Sequence, residues 1–154
     1  MNKNELKKIL QGQVVFVGIG NPLRGDDGWG PVLIASLRGK IGMACFDAGT
    51  APENFTGKVV QNNPDTIIFL DAVDLNLAAG EWAILDKTEI LKTGFTTHDL
   101  SPALLIQYLE TQTQAKVYLL GVQPQNLGLG DQMSEPVSKT LAELSRMIPE
   151  VLNA

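Results

Sequence analysis

The sequence contains one cysteine and one histidine in 154 residues. A single cysteine excludes a disulfide framework and any multi-cysteine zinc or iron–sulfur site within one chain. A single histidine excludes paired-histidine zinc motifs such as H-E-x-x-H. Cations are scarce: 12 Lys and Arg stand against 17 Asp and Glu, for a formal net charge of −5. That balance argues against non-specific nucleic-acid binding, which needs clustered Lys and Arg. Long apolar runs are missing too, since none reaches the roughly 18 to 20 residues that cross a bilayer. Met1 to Leu10 is polar and contains lysine, without the apolar stretch of a signal peptide. Hydrophobic residues make up 44% and charged residues only 19%, so the chain can bury a core and is not of disordered composition. The expectation is one cytoplasmic domain over residues 1–154, monomeric and without membrane insertion.

What is present alternates between apolar runs and helical patterns. Val14 to Val17, Met43 to Phe46, Thr66 to Leu70, Gly80 to Leu85 and Lys116 to Leu120 read as strands. Runs apolar on both faces, such as Val14 to Val17, suit the centre of a parallel sheet. Between them, Glu5 to Leu10, Val32 to Leu37 with Pro31 in its first turn, Glu53 to Val60, and Ala103 to Glu110 read as helices. Ser101 and Pro102 supply an N-cap and a first helical residue. A last amphipathic helix starts at Ser134, with Val137, Leu141, Leu144 and Ile148 on one face. Asp86 opens a polar segment, and Gln125 to Gln132 reads as a mobile loop. Strands alternating with helices at this spacing predict an α/β fold with a doubly wound, mostly parallel sheet. In such sheets ligands bind beyond the carboxyl ends of the strands. Gly18 to Asp27, Asp47 to Pro52, Asp71 to Asp74 and Gly121 to Pro124 all follow strand ends.

The first of these loops resembles a phosphate cradle with the wrong charge. The residue three after Gly20 is Leu23, so a G-x-G-x-x-G fingerprint fails at its last glycine. Gly20 and Gly25 have P-loop spacing, but Asp26 and Asp27 stand where Lys and Ser or Thr are required. Two carboxylates repel a phosphate and favour a cation. Helix capping by one or both aspartates is the simpler alternative. Asp71 ends the most apolar strand, where an unpaired charge is costly. Either loop amides satisfy it, or it is a ligand or a catalytic carboxylate. Asp47 and Asp74 read as loop-structuring. His98 lies in a polar loop just ahead of the Ser101 N-cap. Asp27, Asp71 and His98 together form a two-carboxylate, one-histidine set suited to nickel, zinc or iron. A thiol mechanism pairing Cys45 with His98 competes with this, although Cys45 sits within a strand and reads as a small buried hydrophobe. Trp29, Trp82 and Tyr108 read as core or crevice-wall residues, and Trp29 and Leu127 are candidates for a docking surface.

Six segments in order carry a resemblance over nearly the whole chain: Gly18-Ile-Gly-Asn21 with Gly25-Asp-Asp-Gly-Trp-Gly-Pro31, Asp47-Ala-Gly-Thr-Ala-Pro-Glu-Asn54, Asp71-Ala-Val-Asp74, Gly80-Glu81, Thr96-Thr-His98, and Leu120-Gly-Val-Gln-Pro124. The chain resembles the nickel–iron hydrogenase maturation endopeptidases, and most closely the branch serving the hydrogenase of formate hydrogenlyase complexes. The resemblance implies a three-layer α/β/α domain. It implies a hydrolase that removes the C-terminal extension of the hydrogenase large-subunit precursor after nickel insertion. Its metal-contacting and catalytic residues map to Asp27, Asp71 and His98, with Asp26 a neighbouring family acid. The implied metal is nickel carried by the substrate, with zinc or cadmium as substitutes. Ala48 stands where many relatives have a second glycine, and some relatives carry Glu where Asp27 stands, which keeps a carboxylate. Two routes to hydrolysis remain open, metal-assisted or through an aspartate as general base. A nickel-binding accessory or chaperone protein without proteolytic activity, and a metabolic hydrolase acting on a small substrate, are the alternatives.

Overall fold

The apolar runs assemble into one five-stranded sheet. Residues 3–153 are described by a computed structural model. Met1, Asn2 and Ala154, which include the ends of the expected 1–154 unit and of its polar start, lie outside the described residues. The strands are β1 (Val14–Gly18), β2 (Ala44–Asp47), β3 (Thr66–Ala72), β4 (Trp82–Leu85) and β5 (Lys116–Val122), in the order β2-β1-β3-β5-β4. Every residue of β1 and β3 is buried, as strands covered on both faces require. The pairs β1·β2, β1·β3 and β3·β5 are parallel, and only the edge strand β4 is antiparallel.

Side-chain alternation sorts the core into two layers. Phe16, Ile68, Leu70 and Leu120 face α1 (Lys3–Ile9), α2 (Trp29–Leu37) and α6 (Glu135–Leu152). Val17, Ile67, Phe69 and Leu119 face α3 (Thr56–Gln61), α4 (Lys87–Ile90) and α5 (Pro102–Gln112). The result is the expected doubly wound α/β/α sandwich. Among the described residues no helix is long and apolar enough to cross a membrane.

Several local expectations change. The helix read over Glu53 to Val60 is split into a 3-10 turn, Pro52–Phe55, and α3. Another 3-10 turn, Gly25–Gly28, precedes α2, which begins at Trp29 and holds Pro31 in its first turn. The segment opened by Asp86 contains a short helix, α4. There the Asp86 side chain accepts from the Glu89 amide at 2.9 Å, and Glu89 answers with a bond to the Asp86 amide. Trp29 is fully buried and so is no docking residue, whereas Tyr108 is exposed and not part of the core. Within Gln125 to Gln132, Gly130 N–H donates to the Leu23 carbonyl at 2.8 Å, linking this loop to the one after β1, and Gly128 N–H donates to Asp131 Oδ2 at 2.8 Å inside the loop.

Candidate active site

The sheet changes winding direction at β1 and β3, and their carboxyl ends open the crevice. Ile19 N–H continues the β1–β3 ladder by donating to the Leu70 carbonyl at 2.9 Å. Gly20 N–H donates to the Gly49 carbonyl at 2.8 Å, drawing the loop after β2 alongside. Two glycines make the close approach possible. Gly20 has φ +142°, and a Cβ there would collide with the Asp27 carbonyl. A Cβ on Gly30 would strike the Leu70 and Ile19 carbonyls, so α2 rests directly against the strand ends.

These loops enclose a cavity of about 70 Å³ lined by Ile19, Gly20, Asp27, Thr50, Asp71 and Thr96. It has room for an ion and a little water, not for a length of peptide. A larger cavity of about 480 Å³ lies elsewhere, beside Gly80, Trp82 and Thr140, and lacks buried paired acids. Asp71 is only 7% exposed. Burial first, and then the charge of Asp27, push its carboxyl well above the usual carboxylate range, against the opposing Ala72 amide. Asp27 Oδ2 accepts the Asn21 amide at 2.8 Å. Among the described residues, no ion pair involves Asp27 or Asp71. The cavity is therefore acidic and without a protein cation.

The neighbouring Asp26 does something else. It is fully buried. Its Oδ2 accepts the Gln125 and Asn126 amides at 2.8 Å and the Ser134 hydroxyl at 2.9 Å, while Oδ1 accepts the Ser134 amide at 2.7 Å. Burial raises its pKa, but these bonds together outweigh burial and hold it below the ordinary 3.8. Neither aspartate caps the 3-10 turn or α2 by a side-chain hydrogen bond, although both lie in the first turn ahead of α2, where the helix dipole favours a carboxylate. Asp47 and Asp74 each accept an amide two residues onward, at 3.1 and 3.0 Å.

His98 lies outside the set of residues lining the cavity; its segment reaches the cavity through Thr96. The imidazole is 65% exposed, with Nδ1 3.1 Å from Asp99 Oδ2. The His98 and Asp99 amides both donate to Glu53 Oε1 at 3.1 Å. Glu53, His98 and Asp99 each offer a ligand atom within 4.8 Å of the others. The structure thus joins Asp27 with Asp71, and gives His98 two carboxylate neighbours that the sequence reading passed over. Glu53, Thr50 and Thr96 all lie in the segments that carry the family resemblance, which is the sequence signal that could have found them. Cys45 is half-buried, and its thiol donates to the Met43 carbonyl at 3.7 Å. Burial, opposed by Arg38, pushes it up to about 11, which keeps it a thiol at neutral pH.

Fold and site define a doubly wound α/β protein with an acidic crevice at its switch point. The model of the HycI hydrogenase maturation protease family matches residues 35–151. The hydrogenase 3 maturation protease of Escherichia coli K12 is 32% identical over 126 residues, covering 80% of each chain. The crystal structure of a NiFe hydrogenase maturation protease HycI from Thermococcus kodakarensis KOD1 superposes with a TM-score of 0.88 at 30% identity, covering 97% of this chain and 99% of that one. The solution structure of the endopeptidase HycI from Escherichia coli gives 0.77 at 29% identity, covering 88% of each. The chain belongs to the hydrogenase maturation protease family and is a hydrolase of that kind.

Proposed function

We propose that this protein removes the C-terminal extension of a nickel–iron hydrogenase large-subunit precursor once nickel has been inserted, and that it acts as a monomer in the cytoplasm. Family membership supports the peptide-hydrolysing activity. The observation that carries the finer reading is the pair of carboxylates, Asp27 and Asp71, sharing one small cavity with no protein cation. A divalent ion held by the substrate supplies the missing positive charge, and the cavity's volume and oxygen donors suit it. His98, on the segment that reaches the cavity through Thr96, adds a nitrogen donor to this set. Zinc or cadmium fits the same donors. Such an ion brings Lewis-acid polarisation of a carbonyl.

The chain's own groups then have distinct tasks. Asp27, oriented by the Asn21 amide, presents an anionic oxygen to the incoming cation. Burial and the Asp27 charge raise the Asp71 pKa, and a positive charge entering the cavity shifts the balance back toward its ionised form. The Asp71 carboxyl is thereby also suited to general acid–base work on the scissile bond. A side chain at Gly20 would collide with the Asp27 carbonyl, so this glycine lets the two loops that line the cavity pack closely.

Mixing the purified protein with nickel-loaded precursor and measuring the mass of the large subunit tests this directly. The wild type and Cys45→Ala are expected to shorten it. Asp27→Ala, Asp71→Ala and His98→Ala are expected to leave it full length while remaining folded. An unchanged mass with the wild type, together with tight binding of nickel by the protein alone, would instead favour the accessory-protein alternative.

A further inference from the structure

His98 is gripped by two carboxylates to which the proposed reaction assigns no task. Glu53, in the 3-10 turn after β2, accepts the backbone amides of both His98 and Asp99 on a single oxygen, at 3.1 Å each. That ties the loop ahead of α5 to the turn ahead of α3. Asp99 in turn places Oδ2 3.1 Å from His98 Nδ1. Exposed pairs of this kind contribute little stability. What this one fixes is geometry, because the hydrogen bond at one ring nitrogen decides which nitrogen carries the proton. A carboxylate at Nδ1 keeps the proton there and leaves Nε2 with the free lone pair.

We propose that Glu53 and Asp99 are positioning residues that set the backbone and the tautomer of His98, so that its imidazole meets a metal-bearing substrate through Nε2. The inference rests on the role given to His98 above. Glu53 acts on where the ring stands, and Asp99 acts on which atom it offers.

Nitrogen-15 NMR reads both effects without any substrate. His98 is the only histidine, so its ring signals are unambiguous. At about pH 9, well above the ordinary imidazole range, the wild type should carry its proton on Nδ1, although free histidine prefers Nε2. Asp99→Ala should move the proton to Nε2. Asp99→Asn, whose amide oxygen still accepts, should keep it on Nδ1. Glu53→Ala should abolish the hydrogen-exchange protection of the His98 and Asp99 amides, and Glu53→Gln should retain it. In precursor processing, both alanine variants should lower kcat/KM by about 10- to 100-fold, and both conservative variants should restore most of the loss. A wild-type proton on Nε2, a tautomer indifferent to Asp99→Ala, or unprotected loop amides in the wild type would overturn the proposal. If the NMR results hold while His98→Ala still processes precursor, the positioning stands and the functional role of His98 falls.

Discussion

Two adjacent aspartates with the same chemistry have opposite environments. Asp26 is turned inward onto three amides and a hydroxyl, while Asp27 faces the cavity. Asp26→Asn replaces one acceptor oxygen with a donor facing donors, and is expected to cost about 3 kcal/mol in urea unfolding at pH 7. Because the folded-state pKa of Asp26 is lowered, its contribution is present above pH 3.8 and is lost as the pH falls through the lowered value. The gap between wild type and variant should therefore narrow only in strong acid. Asp71 has the opposite sign. Its folded-state pKa is raised, so the native state holds a proton that the unfolded chain releases above 3.8, and stability declines as pH rises from there. Asp71→Asn should consequently melt higher than the wild type at pH 7, with the advantage shrinking toward pH 4, while losing processing activity. A variant that melts lower at pH 7 would contradict the buried, uncompensated carboxyl.

The strands were legible because their apolar runs leave no other reading: Val14 to Val17 and Thr66 to Leu70 are buried on both faces as their composition demands. The short elements were not legible to the same degree. The helix α4 spans four residues, and its Asp86–Glu89 capping box was the only available mark of it. The 3-10 turn Gly25–Gly28 arises from where the loop must go, over Pro22 and beside Asn126, and not from any local periodicity. The approach of α2 to the strand ends depends on Gly30, whose neighbours are backbone carbonyls that cannot move aside. Gly30→Ala is expected to destabilise the protein by about 1–3 kcal/mol, measured as a lower urea midpoint with an unchanged slope. An unchanged midpoint would show that the helix can shift without consequence.

Across the molecule, the candidate site draws on the loops after β1 and β2, on the carboxyl end of β3 and on the segment before α5. Asp27 and Asp71 could be singled out in the sequence because charge reversal in a glycine-rich loop and a carboxylate ending an apolar strand are local facts. The division of labour between Asp26 and Asp27 could not, since the partners of Asp26 lie about a hundred residues away. Glu53 was hidden for a related reason: its partners are backbone amides of a distant loop, which leave no mark in side-chain composition. Leu23, Leu127 and Leu129 are exposed, on loops joined by the Gly130 to Leu23 hydrogen bond. In the proposed reaction Asp27 and Asp71 address a cation brought by the substrate. The decisive measurement compares the affinity for nickel-loaded and nickel-free precursor in the wild type and in the Asp27→Asn, Asp71→Asn double variant. The wild type should prefer the loaded form by about tenfold or more, or about 1.4 kcal/mol, and the double variant should lose that preference. An equal preference in both proteins would contradict the claim.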